Sequence, residues 1–245
     1  MLKGGSDMRP KAVARGVWQV GLRGVSVFLI EAGDGLVLID AGLRHSPPHV
    51  TEAIYALGRL PQDVVAIVVT HAHRDHVGGL AEMMRRTGAE AWMHPADAAL
   101  VRDGLYGRPF PHGPGRLFRL WPAPKGDAIA VAHEVRDGEV LPFDGLRALH
   151  TPGHTAGHLA LLLPREGGVL FVGDAATNLR RPGLSFVNED LAEVRRSLKR
   201  LAALEFEAAC FAHGRTIRHG ASSAFRELAG RLEPPTSEAP QAGDG

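Results

Sequence analysis

The sequence predicts an α/β sandwich in which two sets of strands pack together and helices cover their outer sides. Two observations carry that expectation. Apolar runs of strand length recur in both halves of the 245-residue chain between Gly-containing breaks. Segments with apolar residues at helical spacing alternate with those runs.

Val17–Val20, Val25–Glu31 and Leu36–Asp40 are separated by Gly21–Gly24 and Gly33–Gly35 and read as strands joined by tight turns. Pro47 and Pro48 open a helix reaching Leu60, with Val50, Ile54, Ala56 and Leu57 at helical spacing, and Val64–Val69 follows as a buried strand. A helix is expected over Gly78–Arg86, a short strand over Ala91–Met93, and a helix with Pro in its first turn over Pro95–Arg102. From Gly104 to Gly126 the pattern collapses into Gly, Pro, Arg and aromatics, the composition of a long loop or lid. The second half resumes with strands near Leu146–His150, Leu159–Leu163 and Val169–Val172, then a helix over Asp190–Leu204. A strand at Ala208–Ala212 and a helix over Ser222–Leu232 close the pattern. The expected organisation is therefore an N-terminal extension over 1–14, one domain over 15–233 with 104–126 as an inserted lid, and a disordered tail over 234–245.

Composition excludes several function classes. With 44% apolar residues the chain is globular, and one cysteine, Cys210, cannot form a disulfide framework. No apolar run approaches the roughly 18–20 residues that a membrane-spanning helix needs. Met1–Arg15 has charges but no apolar stretch behind them, so the expected location is cytoplasmic. A net charge of +1 argues against a broad nucleic-acid footprint and leaves a small molecule as the expected partner. The oligomeric state is not legible.

The 13 histidines direct attention to chemistry. Thr70-His71-Ala72-His73-Arg74-Asp75-His76 directly follows the strand Val64–Val69, so three imidazoles and a carboxylate gather at one strand end. That donor set suits a borderline cation such as zinc, iron or manganese. Asp40 ends the run Leu36–Ile39, and Asp174 ends Leu170–Gly173. His154 sits in Thr151-Pro152-Gly153-His154-Thr155-Ala156-Gly157-His158, and His213 follows Ala209–Ala212. Strand ends on one side of an α/β sandwich line the site crevice, and metal-type residues stand at five of them.

With those residues in view, the chain resembles the metallo-β-lactamase fold superfamily, from Val17 to about Leu232, with all five motifs in order. The resemblance implies a four-layer αββα sandwich and two divalent ions, zinc first, with iron or manganese as alternatives. It implies that His71, His73 and His154 hold one ion, that Asp75, His76 and His213 hold the other, and that Asp174 bridges them. Asp40 would orient ligands by hydrogen bonds, His158 would support the site in the same way, and Asp75 could also steer a proton. The implied reaction is attack of activated water on an ester, thioester, lactone or related acyl bond.

Departures from particular members narrow this reading. Three-His β-lactamases lack the carboxylate that Asp174 supplies, and Cys210 is out of place as the ligand of the cysteine subclass, so antibiotic hydrolysis is disfavoured. Thr151–His158 is similar to the glyoxalase II motif, but little sequence follows His213 where that family's glutathione-gripping helices would stand, so glutathione thioester specificity is not the expectation. Quorum-quenching lactonases place a Tyr at the site, for which Tyr106 is the candidate. The layout resembles bacterial stand-alone hydrolases of this fold. The alternative chemistry is that of persulfide dioxygenases, with one iron on His71, His154 and Asp174. Phe110, Phe118, Leu120 and Trp121, interleaved with arginines, are candidates to cover the site, and Arg180 and Arg181 to meet a carboxylate or phosphate. His45, His49, His94, His112, His133, His150 and His219 carry no motif and read as surface or packing residues.

Overall fold

The computed structural model describes residues 9–106 and 126–232. The lid interior, with Phe110, Phe118, Leu120 and Trp121, and the tail from Pro234 onward lie outside the described residues.

The strands of the first half, β1 (Lys11–Ala14), β2 (Val17–Gly21), β3 (Ser26–Ala32), β4 (Gly35–Ile39), β5 (Val64–Val68), β6 (Glu90–Met93) and β7 (His133–Glu134), form one sheet in sequential order. Pairing is antiparallel from β1 to β4 and parallel from β4 to β7. The second sheet has the order β11 (Ala208–Phe211), β10 (Val169–Gly173), β9 (Leu159–Leu163), β8 (Arg147–His150). Only its β10–β11 pair is parallel.

Side-chain alternation explains why two sheets stack and still need helices outside. Val37 and Ile39 of β4 face the other sheet, where Phe171 and Val169 of β10 meet them, while Leu36 and Leu38 face outward. Leu170 and Val172 of β10 likewise point away from the inter-sheet core. Strands apolar on both faces cannot leave either one in water. Helices α1 (Pro47–Ala56), α3 (Leu80–Thr87) and α4 (Pro95–Arg102) therefore cover the first sheet through Val50, Ile54, Leu80, Met83, Ala98 and Val101. Helices α5 (Leu191–Ala202) and α6 (Ala221–Arg231) cover the second through Val194, Leu198, Leu201, Phe225 and Leu228. The four-layer αββα sandwich expected from the sequence is the observed architecture.

Differences are local. Lys11–Ala14, inside the segment expected to be an extension, is an edge strand on β2. The first helix stops at Ala56 rather than Leu60: Gly58 has φ +73° and Pro61–Asp63 forms a 3-10 turn. The helix expected over Gly78–Arg86 starts at Leu80, preceded by the four-residue α2 (Arg74–Val77). Gly78 and Gly79 sit between them because a Cβ there would lie 2.3 Å from Arg74 O and Ala41 O respectively.

Cys210 is fully buried in the inter-sheet core, and burial pushes its thiol far above the ordinary range. We expect no reaction with a water-soluble thiol reagent in the folded protein and one thiol per chain after denaturation. Rapid modification of the native protein would contradict this placement.

Candidate metal centre

Five strand ends converge on one edge of the sandwich, and the loops that follow them carry the seven expected metal ligands together with Asp40 and His158. Beyond β5, Thr70 leads into His71, His73 and α2, which presents Asp75 and His76. The loop after β8 brings His154, the residue after β10 is Asp174, and β11 leads to His213.

His71 Nε2, His73 Nδ1 and His154 Nε2 form a triangle with edges of 2.9, 3.2 and 2.8 Å. The hydrogen bonds at the ring's other end identify the face turned inward. Thr70 Oγ1 lies 2.9 Å from Asp40 Oδ2, to which it donates, so it accepts from His71 Nδ1 at 3.0 Å and leaves a lone pair on His71 Nε2. Burial holds His71 well below the ordinary imidazole range, and burial together with His154 brings His73 down to about 3. Converging lone pairs repel, and protons between them are disfavoured by burial. A cation fits there: tetrahedral Zn–N bonds of about 2.0–2.1 Å imply edges of about 3.3 Å.

The second half is richer in charge. Asp40 Oδ2 lies 2.8 Å from His76 Nδ1, and since a carboxylate only accepts, Nδ1 donates and Nε2 is left facing Asp75 and Asp174. Gly24 O accepts from His213 Nδ1 at 2.8 Å, which turns His213 Nε2 to Asp75 Oδ2 at 3.1 Å and Asp174 Oδ2 at 3.3 Å. Burial alone would lower His76, but Asp40 and Asp174 raise it to about 9; His213, bonded to Asp174 and Asp75, rises to about 11. Asp75 responds in kind: burial would raise it, yet the bond from His213 and the charge of His76 hold it at about 2. Asp174 is held lower still.

Asp174 belongs to both halves. Its Oδ2 lies 3.4 Å from His154 Nε2 and its Oδ1 3.7 Å from His76 Nε2. His76 Nε2 and Asp174 Oδ1 are buried without a hydrogen-bond partner, which is costly unless a further group satisfies them. Ligand-capable atoms of His71, His73 and His154, of His71, His76 and Asp174, and of Asp75, His76 and His213 each gather within 4.8 Å. The donor set and the orphaned atoms fit divalent metal.

Asp40 and His158 stand one step back. Asp40 has φ +61°, a left-handed turn at the end of β4, and its carboxylate also accepts from Thr70 N at 2.8 Å. His158 Nε2 accepts from Asp174 N at 2.9 Å, which holds the Asp174 backbone, while Nδ1 reaches Thr151 Oγ1 at 2.8 Å, which fixes the ring. A Cβ on Gly173 would lie 2.6 Å from His158 Nε2, which makes glycine the residue that admits this contact.

Tyr106, the candidate for a site tyrosine, is buried in the core under the first sheet with its ring against Gly126. Arg180 and Arg181 are exposed, and Arg215 Nη2 donates to Arg180 O at 3.3 Å. Among the histidines without a motif, His94 stacks on His150 and His133 on Trp92, while His219 pairs with Glu207 at the surface. Asp97, absent from the sequence-based site, proves to be a buried carboxylate between the ligand loops.

Comparison with known proteins identifies the fold family. The sequence profile of the metallo-beta-lactamase superfamily matches residues 20–213. The probable metallo-hydrolase YflN of Bacillus subtilis is 29% identical, with 89% of this chain and 92% of that protein covered. An atrochrysone carboxyl ACP thioesterase of Aspergillus chevalieri is 28% identical over 72% of this chain and 47% of its own length. The chain spans about half the length of fungal lactamase-like proteins that it matches, 53% in Emericella nidulans and 54% in Penicillium aethiopicum. A mutant metallo-beta-lactamase from Cronobacter sakazakii superposes with a TM-score of 0.68 at 30% identity, covering 84% of this chain and 80% of that one. The chain belongs to the metallo-beta-lactamase superfamily. It carries that superfamily's fold and a candidate site for divalent metal.

Proposed function

We propose that the enzyme is a binuclear metallohydrolase, loaded with zinc, that cleaves an ester, thioester, lactone or related acyl bond of a small molecule in the cytoplasm. The observation that carries this reading is a single carboxylate, Asp174, facing His154 of one ligand cluster and His76 and His213 of the other. Among the described residues no helix is long and apolar enough to cross a membrane.

His71, His73 and His154 would hold one ion and Asp75, His76 and His213 the other, with Asp174 between. When bound, such ions polarise a carbonyl oxygen and bring the pKa of water towards about 7. The chain's own residues do the rest. Asp40 and Gly24 O fix the tautomers of His76 and His213, so that Nε2 faces inward in both. His158 fixes the backbone of Asp174. The Asp75 side chain is one-third exposed, the most open of the acidic groups at the site, which makes its carboxylate the one placed to accept a proton from water entering there.

Asp75→Asn is expected to lower kcat by about 10²–10⁴-fold. A variant that kept full turnover and both metals would remove the proton-acceptor role. A panel of p-nitrophenyl esters, acyl thioesters and lactones, each assayed with and without chelator, tests the reaction class. Chelator-sensitive turnover of one class supports the reading, and a metal-replete enzyme inert toward all three opposes it.

The one-iron reading on His71, His154 and Asp174 leaves His73 idle. His73 Nδ1 is as close to the other two imidazoles as they are to each other, which favours three histidines on one ion.

A further inference from the structure

We propose that Asp97 is the positioning residue of the three-histidine cluster. It ties the two loops that supply those ligands to one rigid helix end. The inference rests on the reading that His71, His73 and His154 hold an ion.

Asp97 lies in the first turn of α4, outside every motif at the site, and is 1% exposed. An acid three residues after the N-cap ordinarily folds back to the N-cap amide. Here the imidazole of His94 serves the helix start instead, accepting from Ala96 N at 3.3 Å, and the Asp97 carboxylate leaves its own helix. Oδ2 accepts from Ala72 N at 2.8 Å, and Ala72 is the residue between His71 and His73. The same oxygen accepts from Thr155 Oγ1 at 2.8 Å, and Oδ1 from Gly157 N at 2.8 Å. Thr155 follows His154 directly. One carboxylate thus joins the two loops, which are 83 residues apart in sequence at His71 and His154.

The cradle is fitted closely. A Cβ on Gly157 would lie 2.5 Å from Asp97 Oδ1, so only glycine lets this amide approach. All three contacts are donors, which matches an ionised carboxylate and places a fixed negative charge behind ligands that are themselves neutral imidazoles. Residues that orient ligands from behind typically change metal affinity by about 10–100-fold when altered.

The test is a titration of metal-free wild type, Asp97→Asn and Thr155→Val with Zn²⁺ against a chromophoric chelator. The visible spectra of the Co²⁺ forms and the thermal melts of the metal-free proteins are recorded alongside. Asp97→Asn is expected to weaken one ion by about 10–100-fold, shift the Co²⁺ bands of that ion and leave the other within about threefold. Thr155→Val removes one donor and keeps the carboxylate, so it should weaken the same ion by less; it carries the test if Asp97→Asn does not fold. Unchanged affinity and spectrum in the folded variants would overturn the proposal. Equal weakening of both ions that tracks the loss of folded protein would overturn it too. Wild-type stoichiometry is read in the same titration: a single ion there defeats the binuclear reading while leaving the comparison at the three-histidine cluster intact.

Discussion

Asp174→Ala is expected to lower kcat/KM by about 10³-fold or more, equivalent to ~4 kcal/mol of transition-state stabilisation. Asp174 is the carboxylate that faces imidazoles from both clusters, and it is nearly buried. Without it, His76, His154 and His213 face one another across a gap with one anionic partner fewer, so bound metal should fall from about two ions towards one. His158 would still cap the backbone at position 174, because that bond uses the amide and not the carboxylate. The fold is therefore expected to survive, with a far-UV spectrum like that of the wild type. A variant that keeps both ions and turns over within tenfold of wild type would show that the clusters act separately.

The second large effect is on stability. Gly153 has φ +121°, and a Cβ there would lie 2.3 Å from Val194 N and 2.8 Å from Asp190 O. Its carbonyl accepts from Asp190 N at 2.8 Å, which docks the start of α5 on the loop that carries His154. Gly153→Ala combines backbone strain of about 1–3 kcal/mol with overpacking of about 1–3 kcal/mol. The melting temperature should fall by roughly 5–20 °C, given about 2–4 °C per kcal/mol in a domain of this size. Separating α5 from the loop also moves His154, so metal affinity should fall with stability. A thermal melt within 2 °C of wild type, or about that, would contradict the packing described.

The sequence made the fold and most of the candidate site legible for identifiable reasons. β4 and β10 are apolar on both faces, so they stand out as unbroken runs, and the breaks around them hold glycines that the turns require. The residues of the centre stand at strand ends, where His and Asp are conspicuous against apolar neighbours. What escaped lacks such contrast. β1 and β7 are short edge strands with no alternation to detect, and α2 is a single turn hidden inside the His71–His76 motif. Asp97 escaped because an acid in the first turn of a helix is commonplace; its role depends on Ala72 and Thr155, which only the tertiary fold brings to it. Tyr106 stands beside a Gly/Pro-rich segment in the sequence, and its ring is buried in the core cluster under the first sheet.

The central claim is that the two ligand clusters, joined at Asp174, hold a pair of divalent ions for hydrolysis. Elemental analysis of protein purified without added metal, quantifying zinc, iron and manganese per chain, tests it most directly. About two ions per chain, zinc foremost, is the expected result. About one iron per chain, with oxygen consumed in the presence of a persulfide, would contradict it.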